Sequence, residues 1–559
     1  MSGAELSLQP DPRRYTLPHF LEDVCRRHDG RLAIRSEDRE LRYADLWQEA
    51  RRLARGLLRA GVVKGARVAL LMANRPEWVT ASFAVSMLGG VLVPVNTFAR
   101  SEERDYILRH GDASVLLLQS SLLRHDFLGE LLASHPEIAT GHAGRIRCAA
   151  LPNLRRVYAL GLQEPRGAVE PWESLCCAGD EAISDALLDA LAEEVAPSDE
   201  ALIIYTSGTT ARPKGVLHLQ RAPVIQSWRF AEYMALGAED RVYTAQPFFW
   251  TAGIAMSLGA TLAAGARLLL QESFDPGRAL AWIEGERATT VHAWPHQEKA
   301  MAEHPDARSR DLSCVRHVEF SSPLAPLVGL EKDEWGTYGA YGLSETFTVA
   351  AMLPCWAPAE QRRATSGRPL PGMSLRIVDP ADGAPLPRGR RGEIAVKGLT
   401  LMRGYYKVDP EQVLDAEGFF RTQDAGRLDE EGLLHWSGRL SNLIKTGGAN
   451  VSPLEIEDAL GRYPGLRSAH AVGVPHPTLG EAIVLCVIPV EAATPLDGEA
   501  IRAFLRERLA AYKVPRAILR FAPDEVEYTG SQKVQLTPLR EAALRKLAQS
   551  ATSIEGHRY

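Results

Sequence analysis

Cysteine is scarce and unpatterned in this chain. Seven occur in 559 residues, two of them the adjacent pair Cys176 and Cys177, with no paired-ligand spacing. A disulfide framework and a cysteine metal centre are thereby excluded, and a reducing, cytoplasmic setting is the expectation. An excess of one charge is also missing, since 64 basic residues face 70 acidic ones for a net charge of −6. Nothing in that balance calls for nucleic acid or an anionic membrane as partner. Basic clusters such as "RGRR" (388–391) sit beside Pro and Gly, as surface turns do. Long apolar runs are wanting too. Residues 244–266, "TAQPFFWTAGIAMSLGATLAAGA", carry no charge, but Pro247, three glycines and many Ala, Ser and Thr leave them weakly apolar. They read as a buried helix beside a pocket rather than an integral membrane span. The opening "MSGAELSLQPDPRR" has no apolar core of the secretory kind.

What is present is a globular composition, 45% hydrophobic and 24% charged, on a chain too long for one ordinary core. Up to about residue 200, helical patterns alternate with short apolar strands. "YADLWQEARRLARGLLRAG" (43–61) has helical spacing and stops at Gly61, "RVALLM" reads as a strand, "EWVTASFAVSMLGG" as a helix and "VLVPVN" as a strand. The alternation predicts an α/β fold with a largely parallel sheet, continuing through "ALIIYT", "RLLLQES" and "TTVHAW". After about 370, short strands punctuated by Gly, Pro and Asp predict a small β-barrel-like subdomain. Beyond Arg439 a mixed pattern predicts a separate α+β domain of about 120 residues.

"YTSGTTARPKGV" (205–216) is a polar, flexible loop after an apolar strand. Backbone N–H groups, hydroxyls and Lys214 could surround an anion there, or the segment could be only a turn. The P-loop order GxxxxGK[ST] is absent, which disfavours that ATPase class. "TYGAYGLSET" (337–346) places Tyr341 next to Gly342 and, three residues after that glycine, Glu345. An exposed aromatic there could stack on a purine and the carboxylate could hold Mg²⁺. "FRTQDAGRL" (420–428) offers Asp424, a turn residue or a ribose ligand. "SGRLSNLIKTGGANVSPLEIE" (437–457) joins Arg439 to a Gly-Gly turn and a helix start at Ser452-Pro453.

The order and spacing of these motifs resemble the adenylate-forming superfamily: acyl- and aryl-CoA synthetases, nonribosomal-peptide adenylation domains and beetle luciferase. The resemblance runs from "LRYADL" (41–46) to "KVQLTPLR" (533–540). It implies a large N-terminal domain (1–438), a hinge (439–441) at Ser441 and a small mobile C-terminal domain (442–559). It also implies ATP, Mg²⁺ and coenzyme A as cofactors. By the same resemblance Thr206, Ser207, Gly208, Thr209, Thr210 and Lys214 would wrap the β- and γ-phosphates. Ser322, Tyr341, Gly342 and Ser344 would line the nucleotide site, with Tyr341 facing the adenine and Glu345 holding Mg²⁺. Asp424 would bind the ribose hydroxyls with Arg439 nearby. Gly447 and Gly448 would line the pantetheine tunnel, and Lys533 would neutralise the carboxylate and the α-phosphate. Thr206, Glu345, Arg439 and Lys533 are the catalytic expectations. The acid pocket would lie among Phe248, Phe249, Trp250, Gly253, His292, Trp294, Ser322, Leu343 and Thr346.

Several positions depart from the family pattern. The lysine follows "TGSQ" rather than "TG", so Gln532 stands where a Gly is usual, and "TQD" replaces "TGD" at Gln423. Ser441 is small and neutral where Asp or Lys is common. Trp250 takes the place of a His after "PxF", and Ser321 and Ser322 replace glycines in a shortened segment before Tyr341. The predicted pocket shows no acidic residue suited to an amino acid's ammonium group, which points to a hydrophobic acid, whether fatty, alicyclic or aryl. His218, His292 and His296 read as structural, because an ionised carboxylate needs no base. The leading expectation is an acyl-CoA synthetase that releases pyrophosphate and then forms a thioester. One alternative stops at acyl-AMP or passes the acyl group to an amine or carrier protein, and another is a catalytically silent nucleotide- or acyl-binding protein. A homodimer is left open.

Overall fold

The computed structural model describes residues 11–177, 183–206, 213–446, 449–461, 463–491, 495–509, 511–528 and 534–559. The chain divides into two compact units: Met1–Leu375 with Val396–Phe420, and Arg376–Ala395 with Arg421–Tyr559.

The first unit is built on two sheets. One has eight strands in the order Gly404–Tyr405, Lys214–Leu219, Glu200–Thr206, Val91–Pro94, Arg67–Leu71, Val115–Gln119, Arg156–Leu160 and Val169–Pro171. From Glu200–Thr206 to the far edge every pairing is parallel, and the two pairings at the near edge are antiparallel. Parallel strands are covered on both faces, which is why Val91–Pro94 and Val115–Gln119 are buried along their whole length. The other sheet runs Thr290–His292, Arg241–Thr244, Arg267–Leu270, Leu32–Arg35, Glu40–Arg42 and is parallel but for its last pair.

The helices expected between strands form where the apolar period dictates. Tyr43–Arg59 buries Leu46, Leu53 and Leu57, spaced by whole turns, and Pro76–Met87 starts with Pro at its first position. The uncharged stretch 244–266 folds as a π-helix, Gly253–Gly259, running into a short α-helix, Ala260–Ala263. No helix among the described residues is long and apolar enough to cross a membrane.

In the second unit the β-rich segment is a four-stranded sheet whose outer pair, Phe420–Leu428 and Leu434–Arg439, is antiparallel. Its first strand, Met373–Val378, begins just before the unit boundary. The C-terminal part carries a sheet centred on the long antiparallel pair Leu466–His476 and Gly480–Pro489. The helices Pro453–Leu460, Gly498–Arg506 and Leu536–Gln549 flank it in sequence, and Ile456, Ile501 and Leu505 join Ile483, Leu485 and Val487 in one core cluster.

Candidate active site

The strand Glu200–Thr206 returns as Lys214–Leu219, with Thr206 opposite Lys214 across the antiparallel ladder. The strand before the polar segment thus pairs with a strand after it, where a P-loop would be followed by a helix. Ser207, Gly208, Thr209 and Thr210 lie outside the described residues. Lys214 is exposed, with its Nζ 4.8 Å from the centre of the Tyr405 ring. Tyr405 donates its hydroxyl to Glu345 Oε1 at 2.7 Å, and Met402 N donates to the Glu345 carbonyl at 2.7 Å. One tyrosine therefore touches both the lysine expected at the phosphates and the carboxylate expected to hold a cation. Tyr405 is absent from the sequence-based site. Its only signal there is "GYYK", a short aromatic strand after a glycine.

Ser344–Thr346 is a 3₁₀ turn closed by Thr346, which accepts from Leu343 N at 3.2 Å. Gly342 has no room for a side chain, because a Cβ there would sit 1.9 Å from the Thr348 carbonyl oxygen. Phe347 and Thr348 follow with φ of 50° and 97°, uncommon values for residues other than glycine. Gln226 fixes this bend by donating Nε2 to the carbonyls of Thr346 (3.1 Å) and Val349 (2.6 Å). Tyr341 differs from the expected exposed ring. It is 6% exposed, because it pairs with Ala351 in a two-residue strand.

Among the described residues no three His, Cys, Asp or Glu gather as a metal cluster. A single carboxylate nevertheless suits Mg²⁺, which binds through one or two carboxylates, phosphate oxygens and water. Glu345, oriented by Tyr405, fits that donor set.

The residues expected to line the acid pocket fall into two groups. Phe249, Trp250 and Trp294 meet edge to face, with ring centres 5.0 Å apart for Phe249–Trp250 and 5.9 Å for Trp250–Trp294. The exposed Phe98 extends the series to Phe249 and Trp250 at 5.4 and 6.4 Å. Phe248 instead packs into the core against Trp78 at 5.1 Å. Asn74 holds the chain between them, donating to the Gln246 carbonyl at 2.8 Å and accepting from Phe248 N at 3.0 Å. Gly253 cannot be replaced freely, as a Cβ would lie 2.1 Å from the Pro247 carbonyl oxygen. His292 is 3% exposed, its pKa pushed down to about 4 chiefly by burial. His218, against Phe347 at 4.8 Å, is pushed down to about 3 by the same cause. Ser322 is buried and lies close to the Glu298 carboxyl, whose pKa is raised chiefly by burial. An acidic side chain therefore does adjoin the expected pocket. It carries no signal in the sequence because Glu298 lies on the helix Pro295–Ala302, away from every recognised motif.

In the second unit Arg439 Nε pairs with Asp424 Oδ1 at 3.0 Å, and these two residues are opposite each other in the strand pair. Arg439 also donates to the Thr422 carbonyl at 3.1 Å, and Asp424 is 4% exposed. Gln423, next to Asp424, has φ of 60°, the conformation for which glycine is usual in "TGD", and its N–H is held by Glu393 Oε1 at 2.8 Å. Ser441 falls in the 3₁₀ turn Leu440–Asn442. Gly447, Gly448, Gln532 and Lys533 lie outside the described residues.

The family model described as AMP-binding enzyme matches residues 21–406, and the AMP-binding enzyme C-terminal domain matches 455–533. A feruloyl-CoA synthase from Amycolatopsis sp is 32% identical over 90% of this chain and 94% of its own. An indoleacetate–CoA ligase from Aromatoleum aromaticum is 31% identical over 92% and 96%. Among solved structures, the amide bond synthetase McbA from Marinactinospora thermotolerans matches with a TM-score of 0.76 and 28% identity over 94% of this chain and 99% of its own. The chain belongs to the AMP-binding enzyme family, within the adenylate-forming superfamily.

Proposed function

We propose that this AMP-forming acid–thiol ligase activates a hydrophobic carboxylic acid to an acyl-adenylate with release of pyrophosphate, then transfers the acyl group to coenzyme A. The observation that carries the reading is the Lys214–Tyr405–Glu345 arrangement, and the aromatic group formed by Phe249, Trp250 and Trp294 suits a hydrophobic acid. The CoA ligases among the relatives support thioester formation, and their acids are aromatic by name.

Carboxylate and triphosphate are both anions, so attack of the acid oxygen on the α-phosphorus requires positive charge where negative charge gathers. Lys214 supplies a point charge at the phosphates, and Tyr405 orients the Glu345 carboxylate toward a cation. Mg²⁺, when bound, spreads charge over the phosphate oxygens. Asp424, held by Arg439, accepts the ribose hydroxyls, and Tyr341 lies along the adenine. Lys533 stabilises the carboxylate and the α-phosphate during the first half-reaction. The segment 439–441 serves as the hinge between the domains 1–438 and 442–559, so that one cleft can serve two reactions in turn. Gly447 and Gly448 then line the thiol approach.

A second reading passes the acyl group to an amine. It is favoured by the likeness to an amide bond synthetase and by the neutral hinge residue Ser441. Pyrophosphate release and thioester formation, measured over a panel of acids with and without coenzyme A, separate the two.

A further inference from the structure

Two buried nitrogen atoms near the end of the strand Thr290–His292 have no hydrogen-bond partner among the described residues: His292 Nε2 and Trp294 Nε1. Val291 packs into the cluster formed by Tyr243, Leu269 and Leu280, so its strand neighbour His292 turns to the opposite face, and Trp294 follows two residues on with an extended backbone at the N-cap of the helix Pro295–Ala302. Residues two apart along an extended chain are separated by about 7 Å, close enough for one oxygen atom to sit between their side chains.

The protonation of His292 follows from counting hydrogens. Thr244 is opposite His292 in the sheet and donates Oγ1–H to Ser257 Oγ at 3.0 Å. Ser257 passes its own single proton to Gln246 Oε1 at 2.9 Å. His292 Nδ1 lies 3.1 Å from the same serine oxygen. With the serine proton committed to Gln246, that contact needs its proton from the imidazole. Burial keeps the ring neutral, with its pKa down at about 4, so it carries one proton, and Nδ1 holds it. Nε2 is then a bare acceptor. The indole Nε1–H of Trp294 is a donor only. The π-helix Gly253–Gly259 carries Ser257 and so fixes this arrangement.

One unmet acceptor and one unmet donor thus belong to residues two apart in the chain, and Trp294 ends a series of ring contacts. That series begins at Phe98, which is 62% exposed, and passes through Trp250 to Trp294. A hydroxyl answers both atoms at once, donating to His292 Nε2 and accepting from Trp294 Nε1. A methoxy or carbonyl oxygen answers only the indole. An aliphatic or unsubstituted aromatic carbon answers neither and leaves the buried donor unpaired.

We propose that His292 Nε2 and Trp294 Nε1 read a hydroxyl group carried by the acid substrate, so that this enzyme prefers hydroxylated carboxylic acids, with aromatic ones suited to the ring-lined approach. The proposal rests on the acid-pocket assignment above and makes His292 a specificity-determining residue rather than a purely structural one.

The test uses the full-length enzyme and acids matched except at one group: 4-hydroxycinnamate, cinnamate and 4-methoxycinnamate, and 3- and 4-hydroxybenzoate with benzoate and the methoxybenzoates. The readout is kcat/KM for acid-dependent pyrophosphate release. The hydroxylated member of at least one series is expected to exceed both its unsubstituted and its methoxy partner by tenfold or more. His292→Phe and Trp294→Phe should each bring that ratio close to one, and Ser257→Ala should lower it by releasing the imidazole proton. Because the ratio is taken within one protein, poor folding of a variant does not imitate the effect. Ratios within threefold of one in the wild type would overturn the proposal, as would equal preference for methoxy and hydroxyl acids. So would variants that retain the wild-type ratio, since ordered water would then satisfy both atoms. Release with matched acids but no hydroxyl preference refutes this inference alone, whereas no release with any acid refutes the adenylation reading and this inference with it.

Discussion

Tyr405 donates its hydroxyl to Glu345 Oε1 at 2.7 Å while its ring faces Lys214 Nζ at 4.8 Å. The tyrosine couples two groups that belong to separate sequence motifs. It fixes the carboxylate's direction without adding charge. Tyr405→Phe should keep the ring contact and lose the hydrogen bond. A hydrogen bond to a charged group contributes about 1.5–3 kcal/mol, so kcat for pyrophosphate release should fall on the order of ten- to a hundredfold. The Mg²⁺ concentration for half-maximal rate should rise with it. A variant with wild-type rate and Mg²⁺ dependence would remove Tyr405 from the site.

Gln423 bears a left-handed backbone at φ of 60° in an exposed position next to Asp424. A side chain there costs roughly 1–2 kcal/mol, while glycine loses about 0.4–1 kcal/mol through the freer unfolded chain. Gln423→Gly should therefore gain up to about 1 kcal/mol in chemical denaturation, and Gln423→Val, with a branched Cβ, should lose stability. A glycine variant less stable than the valine one would contradict the assigned backbone.

Three buried histidines make the first unit sensitive to acid. His218 is held at about 3, and His292 and His317 at about 4, each chiefly by burial. Their pKa values lie below the unfolded value near 6.5, so the unfolded chain binds protons that the folded chain does not. Stability is complete above about pH 6.5 and is lost as pH falls toward about 4. At pH 5 each group costs on the order of 2 kcal/mol relative to pH 7. The melting temperature should drop clearly between pH 7 and pH 5, and His218→Leu should make that drop smaller. An equal drop in the variant would show that His218 stays accessible to protons.

Lys533→Ala should reduce adenylate formation by on the order of 10²–10³ while largely sparing thioester formation from supplied acyl-adenylate. Single-turnover measurement of each half-reaction checks this. Equal rates for variant and wild type in both would remove Lys533 from the mechanism.

Much of the architecture is legible in the amino-acid pattern. "RVALLM", "VLVPVN" and "ALIIYT" are short apolar runs between amphipathic helices, and buried parallel strands read that way. Asp424 and Arg439 are legible only through family spacing, yet they meet at 3.0 Å because a bulged antiparallel pair puts them opposite one another. Tyr405 and Glu298 escape notice because each reaches its partner through tertiary contact, 60 residues from Glu345 in the first case. The π-helix is equally hidden, since Gly253 and Gly259 signal close packing but not an extra residue per turn.

The central claim is acid activation through an adenylate, and acid-dependent release of pyrophosphate from ATP tests it most directly. With hydrophobic aromatic, alicyclic and acyl acids, at least one should release pyrophosphate in the absence of coenzyme A, and adding coenzyme A should raise turnover and give the thioester. No release above background with any acid, with or without coenzyme A, would contradict the account.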